Sequence, residues 1–371
     1  MSKFKVLYID DEKDDLIIPL KNRLEEGDIL KIDLVKPMKF EDQLDNLIGI
    51  LKDFQGVILD LQLDGPQESE KGVEQFQVKY QAPPLAQMIR TLASENKIKD
   101  LPIILCSTEN KIKASFNKDF TSHDLFDWTF LKDDLNDQTV NKIASFIEGY
   151  LFIDEYKTNY SKILERDYDE IDERILSRFI TEENPPNHEV ARVIFKDIVQ
   201  PTGVLINEQT LAARLGIDIE QSGEEWSSLL ANYFENARYK GVFNEAWYRW
   251  WNDISLDIFE EITGENCASV NANKRVDLLK EKTEFKNLVA AEPIKLNSSN
   301  DFWNICEITK KPIDPFEGYK INEKNEPKPW QDYSYVSLYA ILEFPDKVSK
   351  NGIKVHPSDY ERYLNDRKKL D

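Results

Sequence analysis

Three cysteines are too few and too scattered for a disulfide framework or a thiolate metal site: Cys106, Cys267 and Cys306 form no CxxC pair. The three histidines are equally dispersed. No apolar run approaches the roughly eighteen residues that a membrane-crossing helix needs, and the longest, such as "LPIILC", are strand-sized. The opening "MSKFKVLYIDDEKDD" has no apolar core and no cleavage pattern, so no secretory leader is predicted and a cytoplasmic location is expected. Positive charge is scarce. Lys and Arg number 48 against 69 Asp and Glu, a net charge of −21. A surface of that sign argues against gripping phosphate backbones and against adhering to anionic membranes. GxxxxGK[ST], HExxH and a Ser–His–Asp order are absent, as are internal repeats and low-complexity tracts. With 371 residues, 41% of them hydrophobic, the chain is long enough for two or three domains with sizeable cores.

What is present begins with alternation. "FKVLYI" (4–9), "ILKIDLV" (29–35), "GVILDLQL" (56–63), "LPIILC" (101–106) and "FDWTFL" (126–131) read as strands. Between them lie helical patterns. One has Leu16, Leu20 and Leu24 on a face and Gly27 as its stop. A second has Leu44, Leu47, Ile48 and Leu51, and a third starts at Pro83 and Pro84. A short fourth follows "LCST", and 136–152 forms the last. Nearly continuous apolar strands separated by helices predict a doubly wound, parallel (βα)5 sheet covered on both faces. In such sheets the binding crevice lies beyond the carboxyl ends of the strands.

Those ends carry one chemistry. Asp10, Asp11 and Glu12 follow the first strand, Asp60 ends the third, Ser107 follows the fourth and Lys132 follows the fifth. Clustered carboxylates repel one another and resist losing water, so such a cluster implies a hard cation such as Mg²⁺. Asp10, Asp11 and Asp60 are the candidate ligands. Asp60 is also a candidate nucleophile toward a phosphoryl group, with Lys132 neutralising its oxygens and Ser107 donating a hydrogen bond to the product.

This pattern resembles the receiver domain of two-component response regulators, over residues 1–152. The resemblance implies that Asp60 is the phosphoacceptor. It further implies that Mg²⁺ sits on Asp10, Asp11, Asp60 and the Gln62 backbone carbonyl, and that Ser107 and Lys132 bind the phosphoryl group. A histidine kinase is the implied partner, and self-phosphorylation and dephosphorylation are the only implied chemistry. The chain departs from the family pattern at four places. Asp133, not Pro, follows Lys132. Thr129 stands at the switch-aromatic position, so the usual coupling of hydroxyl to aromatic rotamer is expected to be absent. Thr108 replaces a small residue, which is expected to slow loss of the phosphoryl group. An insertion spans 64–82, read either as a lid or docking surface or as a solvated loop with no role.

Residues 153–371 read as a mainly helical output or interaction domain, with sub-boundaries near 182–189 and 292–300. "YSKILERDYDEIDERILSRFI" (160–180) predicts one charged helix, nearly continuous with the helix before it. "NEQTLAARLGID" looks like the first half of a helix-turn-helix, with Leu211, Leu215, Trp226, Leu229 and Leu230 as core. Residues 181–260 nevertheless hold six basic and fourteen acidic residues, a net −8, and "SGEEWSSLLANYF" has no Lys or Arg to read bases. Nucleic acid is therefore disfavoured and a protein partner expected. Trp247, Trp250 and Trp251, spaced i, i+3, i+4, predict one aromatic helix face, read either as the core of the second domain or as a candidate interaction surface. Family analogy implies a phosphate sink or regulator, as in phage-defence phosphorelays. The alternatives are a DNA-binding transcriptional regulator and an unrecognised enzymatic output domain.

Overall fold

The computed structural model describes residues 3–68, 75–114, 120–179 and 185–369. It separates into two compact units: Met1–Phe195 with Lys240–Trp247, and Lys196–Tyr239 with Tyr248–Asp371.

The first unit is built on five parallel strands: β1 (Phe4–Ile9), β2 (Leu30–Val35), β3 (Gly56–Asp60), β6 (Ile103–Ser107) and β7 (Trp128–Leu131). Their order is β2-β1-β3-β6-β7. Helices α1 (Asp14–Leu24), α2 (Phe40–Ile50), α3 (Ala82–Ser94), α4 (Glu109–Ala114) and α5 (Asp137–Tyr156) alternate with the strands, as the sequence pattern predicts. Val6, Leu7, Tyr8 and Ile9 are consecutive and all fully buried, which requires cover on both faces of the sheet. Leu7, Ile9, Val57, Leu59, Ile103 and Leu105 share a core with Leu47 of α2 and Leu85 and Ile89 of α3. On α1 the buried face differs from the expected one. Ile17 and Leu24 are buried while Leu16 is 62% exposed, because the helix turns its i, i+7 positions to the sheet.

The insertion after β3 contains a small antiparallel pair, β4 (Pro66–Glu68) with β5 (Gln75–Gln77); residues 69–74, also inside the 64–82 insertion, lie outside the described residues. The single charged helix expected over 160–180 is instead broken into α6 (Tyr160–Leu164) and α7 (Glu173–Leu176). Short polar side chains cause the breaks: Asn159 caps α6 at Lys162 N–H and Asp172 caps α7 at Arg174 N–H. Continuity with α5 fails at Lys157, and α6 ends at Glu165, each with positive φ (47° and 49°). Residue 180, and 182–184 of the expected hinge, lie outside the described residues; α8 (Asn187–Arg192) follows.

The 240–247 strap packs its aromatics onto α5. Phe243 meets Phe146 at 5.0 Å and Trp247 meets Phe146 at 5.2 Å and Trp128 of β7 at 6.3 Å. Gly149 faces Phe243 so closely that a Cβ there would lie 2.4 Å from the ring.

The second unit is mainly helical. The pair expected to resemble a helix-turn-helix is present as α9 (Glu208–Leu215) and α11 (Glu224–Tyr233), with the short α10 (Ile219–Ser222) between them. Leu211, Leu215, Trp226 and Leu229 are buried with Phe259 of α12 (Asn252–Thr263) and Leu279 of α13 (Ala272–Lys282). The expected tryptophan helix is not a helix. Trp250 and Trp251 form a short strand, β9, paired with β8 (Leu205–Ile206). Strand alternation sends neighbouring side chains to opposite sides, so a shared helical face is lost. Both are buried, whereas Trp247 belongs to the first unit. A separate core begins at Ile294. It holds the hairpins β10 (Asn304–Ile305) with β11 (Pro312–Ile313) and β12 (Tyr319–Lys320) with β13 (Tyr335–Val336). Helices α14 (Leu338–Glu343), α15 (Pro345–Lys350) and α16 (Pro357–Lys368) complete the chain.

Candidate phosphoryl-acceptor site

Parallel pairing brings four strand ends to one edge of the sheet. Asp10 directly follows β1; Asp60 ends β3 and pairs in register with Cys106, one residue before Ser107. Lys132 begins the turn after β7, and its peptide bond to Asp133 is trans.

Lys132 is the centre of the cluster. Its Nζ lies 2.8 Å from Asp10 Oδ2, 2.9 Å from Asp60 Oδ1 and 3.2 Å from Glu12 Oε2. Asp10 also accepts from the Tyr8 hydroxyl at 2.8 Å and the Glu12 N–H at 2.8 Å. Asp60 Oδ2 accepts from the Gln62 N–H at 2.9 Å. Asp10 and Asp60 are both fully buried, and so is Ser107, whose hydroxyl has no hydrogen-bond partner among the described residues. A buried orphan hydroxyl is unusual, because leaving it unpaired costs free energy. Asp11 stands apart from Lys132; its Oδ2 accepts from the Gly65 N–H at 2.6 Å, tying the base of the insertion to the acidic cluster.

Burial pushes the Asp60 carboxyl up to about 6, although Lys132 opposes it; Asp10 adds to the rise and Lys111 opposes it. Burial alone would lower the Lys132 ammonium, but Asp60 and Asp10 outweigh it and hold it above its ordinary range. Burial also raises Asp11, against the Gly65 hydrogen bond. A carboxylate whose folded value exceeds its unfolded one destabilises the fold when ionised. Asp60→Asn should therefore melt higher than the parent in metal-free buffer. The gain is on the order of 1–3 kcal/mol, since each tenfold change in a protonation equilibrium is worth about 1.4 kcal/mol. It is present above about pH 6 and fades as the pH falls toward the unfolded value of 3.8. Thermal melts across that range check it, and equal midpoints above pH 6 would refute it.

Mg²⁺ fits this donor set in kind: the side chains are hard carboxylate oxygens, short of positive charge, beside an unpartnered hydroxyl. Among the described residues no three or more carboxylate, imidazole or thiol groups are arranged as a metal site, and the Lys132 ammonium occupies the point on which Asp10, Glu12 and Asp60 converge. Lysine ammonium groups do the neutralising instead.

Tyr8, Gly65 and Lys111 were not singled out from the sequence. Tyr8 carried a signal, a hydroxyl inside an otherwise apolar buried strand, which needs a partner. Gly65 carried none. Lys111 stands in the first turn of α4, where free N–H groups disfavour a cation. Its Nζ lies 3.7 Å from Asp60 Oδ2. A second buried charged group, Arg90 with Asp100 and Asp127, is fully paired and lies where β6 begins, away from this edge.

No family model matches the chain, and no curated protein matches it. Among solved structures the chain is similar to the crystal structure of response regulator ChrA of a heme-sensing two-component system. Identity is 12%, the match covers 76% of this chain and 98% of that one, and the TM-score is 0.24. The fold assignment stands on the strand order and on helices alternating with parallel strands. Among the described residues no helix is long and apolar enough to cross a membrane.

Proposed function

We propose that the chain is a response regulator that accepts a phosphoryl group on Asp60 from a partner histidine kinase, and that its second unit binds a protein. The observation that carries this reading is a fully buried Asp60 at the end of the central strand, 2.9 Å from Lys132, next to an unpartnered Ser107 hydroxyl. An Asp60 oxygen forms the new O–P bond as the donor's P–N bond breaks, and the electron pair leaves with the nitrogen, which the kinase histidine retains. Lys132 stabilises the charge spread over the phosphoryl oxygens, and Ser107 donates to one of them. Asp10, Asp11, Asp60 and the Gln62 carbonyl would hold Mg²⁺, which supplies further charge neutralisation when bound.

The output reading rests on charge. Helix α11 stands where a recognition helix would, begins with Glu224 and Glu225, and has no Lys or Arg. A cation-free helix on a segment of net −8 suits a protein partner better than a phosphate backbone.

Incubation of the full chain with phosphoramidate and Mg²⁺, followed by intact mass, should show one added phosphoryl group. Asp60→Asn should show none. Equal modification of variant and parent would mean that Asp60 is not the acceptor.

A further inference from the structure

The acidic edge holds two ammonium groups. Lys132 is engaged by three carboxylates at once, on the Oδ1 side of Asp60. Lys111 approaches the other oxygen, Oδ2, at 3.7 Å, with its side chain only 26% exposed. Asp60 is the one carboxylate within ion-pair distance of Lys111 among the described residues, so Lys111 has capacity for another anion that Lys132 lacks.

The charge count makes that capacity useful. Asp10, Asp11, Glu12 and Asp60 stand against two lysines. Transfer turns the Asp60 carboxylate, with one negative charge, into an acyl phosphate with about two. Independently, the fully buried Ser107 hydroxyl, at the strand end beside Asp60, has no hydrogen-bond partner among the described residues and so has polar capacity at this edge.

We propose that Lys111 is a second phosphoryl-positioning cation, acting on the Asp60 Oδ2 side, and that in the unphosphorylated site it competes with a divalent cation for Asp60. The first half rests on Asp60 being the acceptor; the second does not. With phosphoramidate the step balances: an Asp60 oxygen forms the O–P bond, the P–N bond breaks, and the nitrogen leaves as ammonia from the N-protonated donor.

The test uses the full chain as parent, Lys111→Met, Lys111→Arg and Asp60→Asn. Mg²⁺ titration without phosphodonor is read by thermal midpoint. Labelling rate with phosphoramidate is read at saturating Mg²⁺. For Lys111→Met the half-saturating Mg²⁺ concentration should fall by about 3–10-fold, because a repelling charge is gone. Its labelling rate should fall by about 10-fold, because a positioned cation is gone. Lys111→Arg should recover both in part. Tighter metal binding with slower labelling is a pairing that mere loosening of the fold does not produce. An unchanged or weaker Mg²⁺ response in Lys111→Met overturns the competition, as does a parent indifferent to Mg²⁺. An unchanged labelling rate overturns the positioning role. If Asp60→Asn is labelled like the parent, the acceptor reading fails and takes the positioning role with it, while the titration still judges the competition.

Discussion

Lys132→Met should lose about 3–5 kcal/mol of stability near neutral pH, the scale of breaking a buried ion pair from one side. Asp10 and Asp60 are both fully buried, and Lys132 lies within 2.9 Å of each. Without it they face each other with Lys111, 3.7 Å from Asp60, as the remaining cation within ion-pair distance of Asp60 among the described residues. The loss should shrink in mildly acidic buffer. Asp60 already holds its proton to about pH 6, and removing Lys132 extends that range upward. Asp60→Asn placed on top of Lys132→Met should recover much of the loss, since it deletes one of the stranded charges. Denaturant unfolding of both single variants and the double variant forms the cycle that measures this coupling. Labelling by phosphoramidate should fall by about 10²-fold or more in Lys132→Met, the usual scale for removing one preorganised electrostatic group. A Lys132→Met protein as stable as its parent would show that the carboxylates do not depend on this ammonium.

Two glycines that look alike in sequence should behave very differently. Gly216 and Gly264 each cap a helix in the left-handed region, with φ of 76° and 74°. Around Gly264 nothing lies within 4 Å of where a Cβ would stand, so Gly264→Ala meets only backbone strain, about 1 kcal/mol. At Gly216 the same atom would lie 2.5 Å from the Ala272 Cα and 2.7 Å from its carbonyl oxygen. Those are backbone atoms at the start of α13, and they cannot rotate away. The Gly216 carbonyl also accepts from the Ala291 N–H at 2.9 Å, which pins its own strand of chain in place. Gly216→Ala should cost about 3 kcal/mol or more, adding steric displacement to the strain. Parallel urea titrations decide it; losses of equal size would mean that the segment at Ala272 yields freely.

The difference between those glycines shows where local information stops. Composition and periodicity were sufficient for the five parallel strands, since a run such as "FKVLYI" avoids water on both faces wherever it lies. They were sufficient too for Asp10, Asp60, Ser107 and Lys132 at one edge, because parallel pairing aligns strand ends by construction. Short polar side chains at 159 and 172 carried capping signals strong enough to break a helix that its apolar spacing alone would continue. What no local pattern contains is the identity of a distant neighbour. The i, i+3, i+4 tryptophans suit a helix, yet Trp250 and Trp251 gain more by pairing with Leu205 and Ile206, and Trp247 by packing against Phe146 and Trp128. Gly149 is an ordinary helix interruption until Phe243, nearly a hundred residues on, fills the space its missing side chain leaves. Lys111 is one more surface-type lysine until the crossover from β6 sets it beside Asp60. Short-range propensity is a matter of tenths of a kcal/mol per residue, and burial of a large side chain is worth several times that. The sequence by itself therefore determined the sheet and its acidic edge, whereas long-range packing decided which tryptophans, glycines and lysines would matter.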